Sequence, residues 1–203
     1  GGQGQSDGSL FDVALGPHQT RIINLDDKRP AFTTTAGTGK MGGISITHTG
    51  APGGVLAFGL VSKKQTGFSS HFPFEDPATS RSQALAAAHV FIGKPDTPGF
   101  SNDTRFTSIA LIRNASDAAL DVRPSISFVH NNEPRTVTLD ARHLQPQQVD
   151  AIDLAVVLKR ARILGAVSGA GLTLASTGSP GALMAHLTSY DQTRNHVFDV
   201  PMK

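Results

Sequence analysis

The sequence contains one stretch twice. Gly43-Ile-Ser-Ile-Thr-His-Thr-Gly-Ala-Pro-Gly53 returns 128 residues later as Gly171-Leu-Thr-Leu-Ala-Ser-Thr-Gly-Ser-Pro-Gly181, with both outer glycines and the Thr, Gly and Pro of a TGxPG turn identical. Upstream, Leu15-Gly-Pro-His-Gln-Thr-Arg-Ile-Ile-Asn-Leu25 matches Leu144-Gln-Pro-Gln-Gln-Val-Asp-Ala-Ile-Asp-Leu154, at an offset of 129. Downstream, Gln65-Thr66 matches Gln192-Thr193, and Phe72-Pro-Phe74 lines up with Phe198-Asp-Val200 at an offset of 126. Self-similarity at a fixed spacing is the signature of a tandem structural unit. The spacing thus predicts two copies, each of ordinary single-core size.

In a chain of 203 residues both copies cannot be whole. The expected organisation is a flexible leader over 1–9, a first β-sandwich repeat over 10–76 that lacks its N-terminal strands, a packed connector over 77–103, and a second, whole repeat over 104–203. The counterparts of about 104–137 would lie before residue 1, so either the chain begins inside a larger protein or another segment fills the gap.

Strand patterns dominate. Phe106–Arg113 is apolar and β-branched, Leu120–Phe128 alternates with period two, and Ala182–Ser189 follows Gly171–Leu174 across the Ser176–Gly181 turn. With Val137–Leu139, Val149–Ile152 and His196–Val200, the second unit has about seven strands and no βαβ alternation. That pattern predicts an all-β fold of two tandem antiparallel sandwiches. One short helix interrupts the second, where Leu154, Val157, Leu158 and Ala161 stand at helical spacing behind Asp153 as N-cap. In the first copy, Asp26-Asp-Lys-Arg-Pro30 argues against a matching helix. Ala84–Ile92 is too apolar for a free linker and is expected to pack, as a strand replacing one missing from the first unit. Val55–Val61 is apolar on both faces of a strand, so Phe58 and Leu60 are expected to be covered by Ala84–Ile92 or by the second unit.

The pattern Phe106-x-x-Ile-x-Leu-x-x-Asn114-x-Ser-x-x-x-Leu120-x-Val, followed by a run of short strands, resembles immunoglobulin-like modules of bacterial secreted and surface proteins. The resemblance covers about 104–203 and, through the repeat, part of 10–76. The chain has neither Cys nor Trp, so the Cys…Trp…Cys signature of true immunoglobulin domains is absent. What the resemblance implies is an extracytoplasmic (secreted, periplasmic or cell-surface) adhesion, spacer or glycan-contact module. It brings no functional residue with it.

The residues themselves point away from catalysis. Without cysteine there is no thiolate zinc site and no cysteine nucleophile. Gly37-Thr-Gly-Lys40 lacks the leading Gly and the following Ser or Thr of a P-loop. Ser168 does not sit in a GxSxG elbow, and Asp150 and Asp153 stand where turn or cap roles explain them. His186, Asp191 and His196 match no recognised set of metal ligands. No cofactor or metal is expected, and the chain is read as a non-enzyme. The net charge of +2 and the scattered Lys and Arg give no reason for a nucleic-acid partner, and no apolar run reaches the roughly 20 residues of a membrane span.

The expected role is therefore structural, spacer or adhesion, with a protein or glycan partner on a surface. The alternative is a glycan- or peptide-binding module on the last hairpin of the second repeat. There period two sends Leu183, Ala185 and Leu187 one way and His186, Thr188 and Tyr190 the other. His186, Tyr190, Asp191, Arg194 and His196 are the candidate contact residues, an aromatic ring among hydrogen-bonding groups.

Overall fold

The computed structural model describes residues 12–25, 44–63, 68–79, 82–94, 103–130, 133–163, 167–191, 193 and 197–203. The leader, Asp26–Pro30, Gly37–Lys40 and the Gln65-Thr66 match lie outside them. The strands are β1 (Phe58–Lys63), β2 (Phe68–Pro73), β3 (Ala84–Ile92), β4 (Phe106–Asn114), β5 (Leu120–His130), β6 (Glu133–Thr138), β7 (Arg142–Leu144), β8 (Val149–Asp153), β9 (Val167–Ser176), β10 (Leu183–Asp191) and β11 (Val197–Pro201). The one α-helix, α1, spans Leu154–Arg160.

From β3 onward the strands form two antiparallel sheets, β11-β10-β4-β8 in front and β3-β9-β5-β6 behind, with β7 also on β5. Alternation explains why they face each other. Along β10 the residues Leu183, Ala185, Leu187, Ser189 and Asp191 are buried, and those between are only partly so. Ala110 and Ile112 of β4, Val122 and Ile126 of β5, and Leu172 and Leu174 of β9 close the same apolar core. The fold is all-β with a sandwich of two sheets around that core.

Several residues account for local departures from regularity. Pro124 has no N–H for the ladder, and it is where the partner of β5 changes from β7 (Val122↔Arg142) to β6 (Ser125↔Thr138). The Asp153 side chain accepts from Val156 N at 3.1 Å, capping α1, while Lys159 and Arg160 occupy its last turn. Leu154, Val157 and Leu158 bury the helix against the sandwich. Asn114, fully buried, donates from Nδ2 to Ala118 O (2.7 Å) and Gln145 O (3.0 Å) and accepts from Ser116 N (2.9 Å). Its amide thus ties the end of β4 to the 116–118 turn and to Gln145.

Ala84–Ile92 packs as a strand, but in the sandwich beside β9 rather than with β1 and β2. β3 pairs with β9 from Ala84↔Ala175 to Ile92↔Val167, and its other edge exchanges bonds with Lys203 (Ala86 N to Lys203 O, 2.8 Å; Lys203 N to Ala86 O, 3.2 Å). Ser108 Oγ accepts from Phe91 N (3.0 Å) and contacts Ser189 Oγ (2.6 Å), anchoring the shifted end of β3 to the front sheet. Leu85, Ala87 and Val90 supply core volume, so β3 is where its apolar face can be buried.

The segment before β3 is built differently. No residue of 12–60 or 69–79 whose burial is described is buried. Its strands β1 and β2 form a separate hairpin, with Phe58 opposite Pro73 and Lys63 opposite Phe68. The expectation that Phe58 and Leu60 are covered is overturned: they are 69% and 72% exposed. The reason lies in the hairpin's orientation. Gly59 is paired with Phe72, whose ring occupies the space a Cβ on Gly59 would need, and that ring meets His186 of β10. The Gly59/Phe72 face is therefore turned to the sandwich, and the Phe58/Leu60 face looks outward.

Local geometry recurs along the chain. Gly54 N donates to Ala51 O (2.9 Å) beside Gly53 at φ 76°, and Ala182 N to Ser179 O (3.0 Å) beside Gly181 at φ 83°. Gln19 N donates to Gly16 O (3.2 Å) while Gly16 N donates to Gln19 Oε1 (2.9 Å), with His18 at φ 58°. Gln148 N and Gln145 O (3.1 Å), Gln145 N and Gln148 Oε1 (2.8 Å), and Gln147 at φ 58° make the same turn. The hairpins agree too. The pair Phe58↔Pro73 returns as His186↔Pro201 with both members shifted by 128, and Leu60↔His71 returns as Thr188↔Asp199 with the same shift. That register sets Pro73 beside Pro201, two positions away from the Phe72–Phe198 match expected from sequence.

Candidate functional site

The outer face of β10 carries Met184, His186, Thr188 and Tyr190, all half-buried. Antiparallel pairing sets Asp199 of β11 directly opposite Thr188, and Pro201 opposite His186. Cross-strand neighbours share a face, so one sheet surface presents a histidine, a threonine and a carboxylate together. β2 lies against β11 and brings Ser70 and His71 to the same place. A cleft of about 350 Å³ results, lined by Ser69, Ser70, His71, Pro73, His186, Val197, Asp199 and Pro201.

Asp199 is its polar centre, with a side chain only 15% exposed. Its Oδ1 accepts from Thr188 Oγ1 at 2.7 Å, and its Oδ2 accepts from Ser70 Oγ. His186 Nε2 lies 3.3 Å from Oδ1 and is buried without a well-aligned hydrogen-bond partner, so the contact is electrostatic in the main. Burial alone would push the Asp199 carboxyl upward. The contacts from His186 and Thr188, with the positive charge of His186 and His71, outweigh it and hold the carboxyl below the ordinary aspartate value. Phe72 sets its ring edge-on to His186, with centroids 6.4 Å apart.

A second latch lies on the same outer face. Arg113 of β4 donates from Nη1 to Ile44 O (3.2 Å) and from Nη2 to Ser45 Oγ (2.8 Å) and Gln147 Oε1 (2.9 Å), and burial lowers its pKa. The front sheet thus holds the N-terminal segment at two places, 44–45 and 70–72.

Of the residues expected at the site, His186 lines the cleft, its side chain 23% exposed. Tyr190 shares its face of β10 but does not line the cleft. Asp191 is turned inward, 1% exposed, and its Oδ1 accepts from Arg105 N (3.2 Å), Thr193 N (2.9 Å) and Thr193 Oγ1 (2.6 Å), the work of a turn-closing residue. Arg194 and His196 lie outside the described residues. Among the described residues no three His, Asp or Glu side chains come together as metal ligands. Asp199 was within reach of sequence reasoning, since alternation from Val197 puts it on the outer face. Ser70 and His71 were not, because nothing local says that β2 folds back over β11.

No protein-family model matches the chain, and no curated protein matches it significantly. The chain is similar over 59% of its length, and 91% of the other's, to a solved structure described as "Crystal Structure of Thermotoga maritima 1070", with 12% identity and a TM-score of 0.40. A likeness of that order carries no argument about family or activity.

Proposed function

We propose that this chain is a non-catalytic, extracytoplasmic module with a structural, spacer or adhesion role. It is built from two copies of one immunoglobulin-like unit, the first of them open. The duplicated turns at 16–19 and 145–148 and at 51–54 and 179–182, with their matching hydrogen bonds, support common descent of the copies. The observation that carries the role is the outward face of the first hairpin. Leu56, Phe58 and Leu60 are exposed there together, on a segment fastened to an intact sandwich. A cluster of exposed large apolar side chains is a contact surface for another macromolecule.

Fractionation of the native host, with an antibody against the sandwich, tests this. The protein is expected outside the cytoplasm and held to the envelope, and Phe58→Ser/Leu60→Ser is expected to release it to the medium. A cytoplasmic location, or no effect of the double substitution, would overturn the proposal.

The cleft on the last hairpin favours a second reading, a small-ligand module for glycan or peptide. Hydroxyls, imidazoles and a carboxylate beside the ring faces of Pro73 and Pro201 offer both hydrogen bonds and an apolar floor. Glycan-array binding by the whole protein that His71→Ala abolishes would establish it.

A further inference from the structure

The sequence contains one Asp-Pro pair, Asp76-Pro77, and it stands at the junction between the N-terminal hairpin and the sandwich. An Asp–Pro bond is the most acid-labile of the common peptide links. Its nitrogen belongs to a tertiary amide, which takes a proton more readily than a secondary one. The aspartate carboxyl can also close a five-membered ring on its own carbonyl carbon, an intramolecular attack with the advantage of proximity.

The fold adds a fixed geometry to this chemistry. Thr79 N and Thr79 Oγ1 both donate to the carbonyl oxygen of Asp76, at 3.0 and 2.8 Å. Ala78 N donates to Asp76 Oδ1 at 2.9 Å, which folds the carboxyl back over the bond that follows it. Pro77 is seated against the TGxPG turn of the sandwich. A Cβ on Gly181 would lie 2.1 Å from Pro77 O and 3.0 Å from Pro77 C, so glycine lets the two backbones meet. Asp76, Pro77, Ala78 and Thr79 are all exposed, and water reaches the bond. Turn closure alone accounts for the Thr79 N bond. The second donor and the close seat of Pro77 go beyond it, and they are what a hydrolytic site needs: donors where charge develops, a nucleophile alongside, and a leaving group held in place.

We infer that Asp76–Pro77 is a self-cleavage site. An oxygen of the Asp76 carboxylate attacks the Asp76 carbonyl carbon, and the carbonyl oxygen takes up negative charge facing Thr79 N and Oγ1. A proton from solvent goes to the Pro77 nitrogen, the C–N bond breaks, and Pro77 leaves as a secondary amine. One water opens the five-membered anhydride left on residue 76, giving Asp76 a free α-carboxyl. The net change is hydrolysis of one peptide bond. The cut divides 1–76, with its exposed Leu56, Phe58 and Leu60, from the sandwich. The two parts are then joined by noncovalent contacts alone, among them Ser70 with Asp199 and Arg113 with Ile44 and Ser45. The inference goes beyond the contact role proposed above and does not depend on it.

The test incubates the whole protein in mild acid and at neutral pH and follows cleavage by mass spectrometry. A synthetic peptide of residues 70–84, which has the same bond without the fold, is the reference. Cleavage between 76 and 77 is expected, faster in acid, and about tenfold or more faster in the folded protein than in the peptide. Asp76→Asn is expected to stop it. Thr79→Val keeps the main-chain donor and is expected to slow it about fivefold, the worth of one hydrogen bond. Gly181→Ala, which displaces Pro77, is expected to bring it down to the peptide rate. If that variant misfolds, the exposed Thr79→Val change and the peptide carry the comparison. In heavy-oxygen water the anhydride takes label into either carboxyl of Asp76, whereas a contaminating protease labels the α-carboxyl alone. No cleavage, cleavage no faster than in the peptide, a rate unchanged by Asp76→Asn or Thr79→Val, or label confined to the α-carboxyl would overturn the inference.

Discussion

Gly53 and Gly181 occupy the same place in two turns of the same shape, yet their surroundings differ. Both have positive φ, where an added Cβ is strained. Around Gly53 the space for a Cβ is empty, whereas at Gly181 it would fall 2.1 Å from Pro77 O. Gly53→Ala should cost about 1 kcal/mol, from backbone strain alone. Gly181→Ala should cost about 3 kcal/mol or more, because the turn must also part from the segment at Pro77. Urea unfolding of the two variants measures this, and equal costs would contradict it. Asp199 gives a prediction in pH. Its folded pKa is depressed, so its contribution to holding Ser70, Thr188 and His186 is present above the ordinary aspartate value of about 3.9 and is lost as pH falls through the lower folded value. The carboxyl carbon shift followed by NMR should titrate below that ordinary value, with β2 loosening in the same range. Titration at or above it would remove Asp199 as the tie between β2 and the sandwich.

At the scale of elements, β3 is the most instructive. Its strand character is legible from Ala84–Ile92, but its partner is not, because a continuous apolar run does not say which sheet will bury it. The sandwich needed an edge strand beside β9, and Leu85, Ala87 and Val90 fit that core. Leu85→Ala is expected to lower global stability by about 3 kcal/mol, as a core truncation does, rather than to loosen only the N-terminal hairpin. Chemical denaturation read by sandwich and hairpin probes separately checks this. Other elements were open to sequence reasoning for definite reasons. α1 announced itself through the Asp153 cap and its helical spacing, and β10 through alternation from Leu183 to Tyr190. β7 was not, since Arg142-His-Leu144 is too short to show a period and exists because Pro124 divides the partners of β5. The cleft escaped for a related reason: His186 and Asp199 are one hairpin apart in sequence, but Ser70 reaches Asp199 only through a fold-back across 129 residues.

At the scale of the whole molecule, the buried apolar residues among those described all come from 85 onward, and the exposed large ones cluster before 61. A well-filled sandwich carries on its outer face a hairpin of the same register that pairs with no further strand among the described residues. The central claim is that this hairpin is open along its far edge in the free protein. Residue-resolved amide exchange by NMR tests that most directly. Within β1, the amide of Gly59 should be protected by β2 while those of Phe58 and Leu60 exchange near the rate of unstructured chain. Their counterparts in β10, His186 and Thr188, should be protected close to the global limit. If the Phe58 and Leu60 amides are as slow as those of His186 and Thr188, the edge is already occupied, and the account of an open edge is wrong.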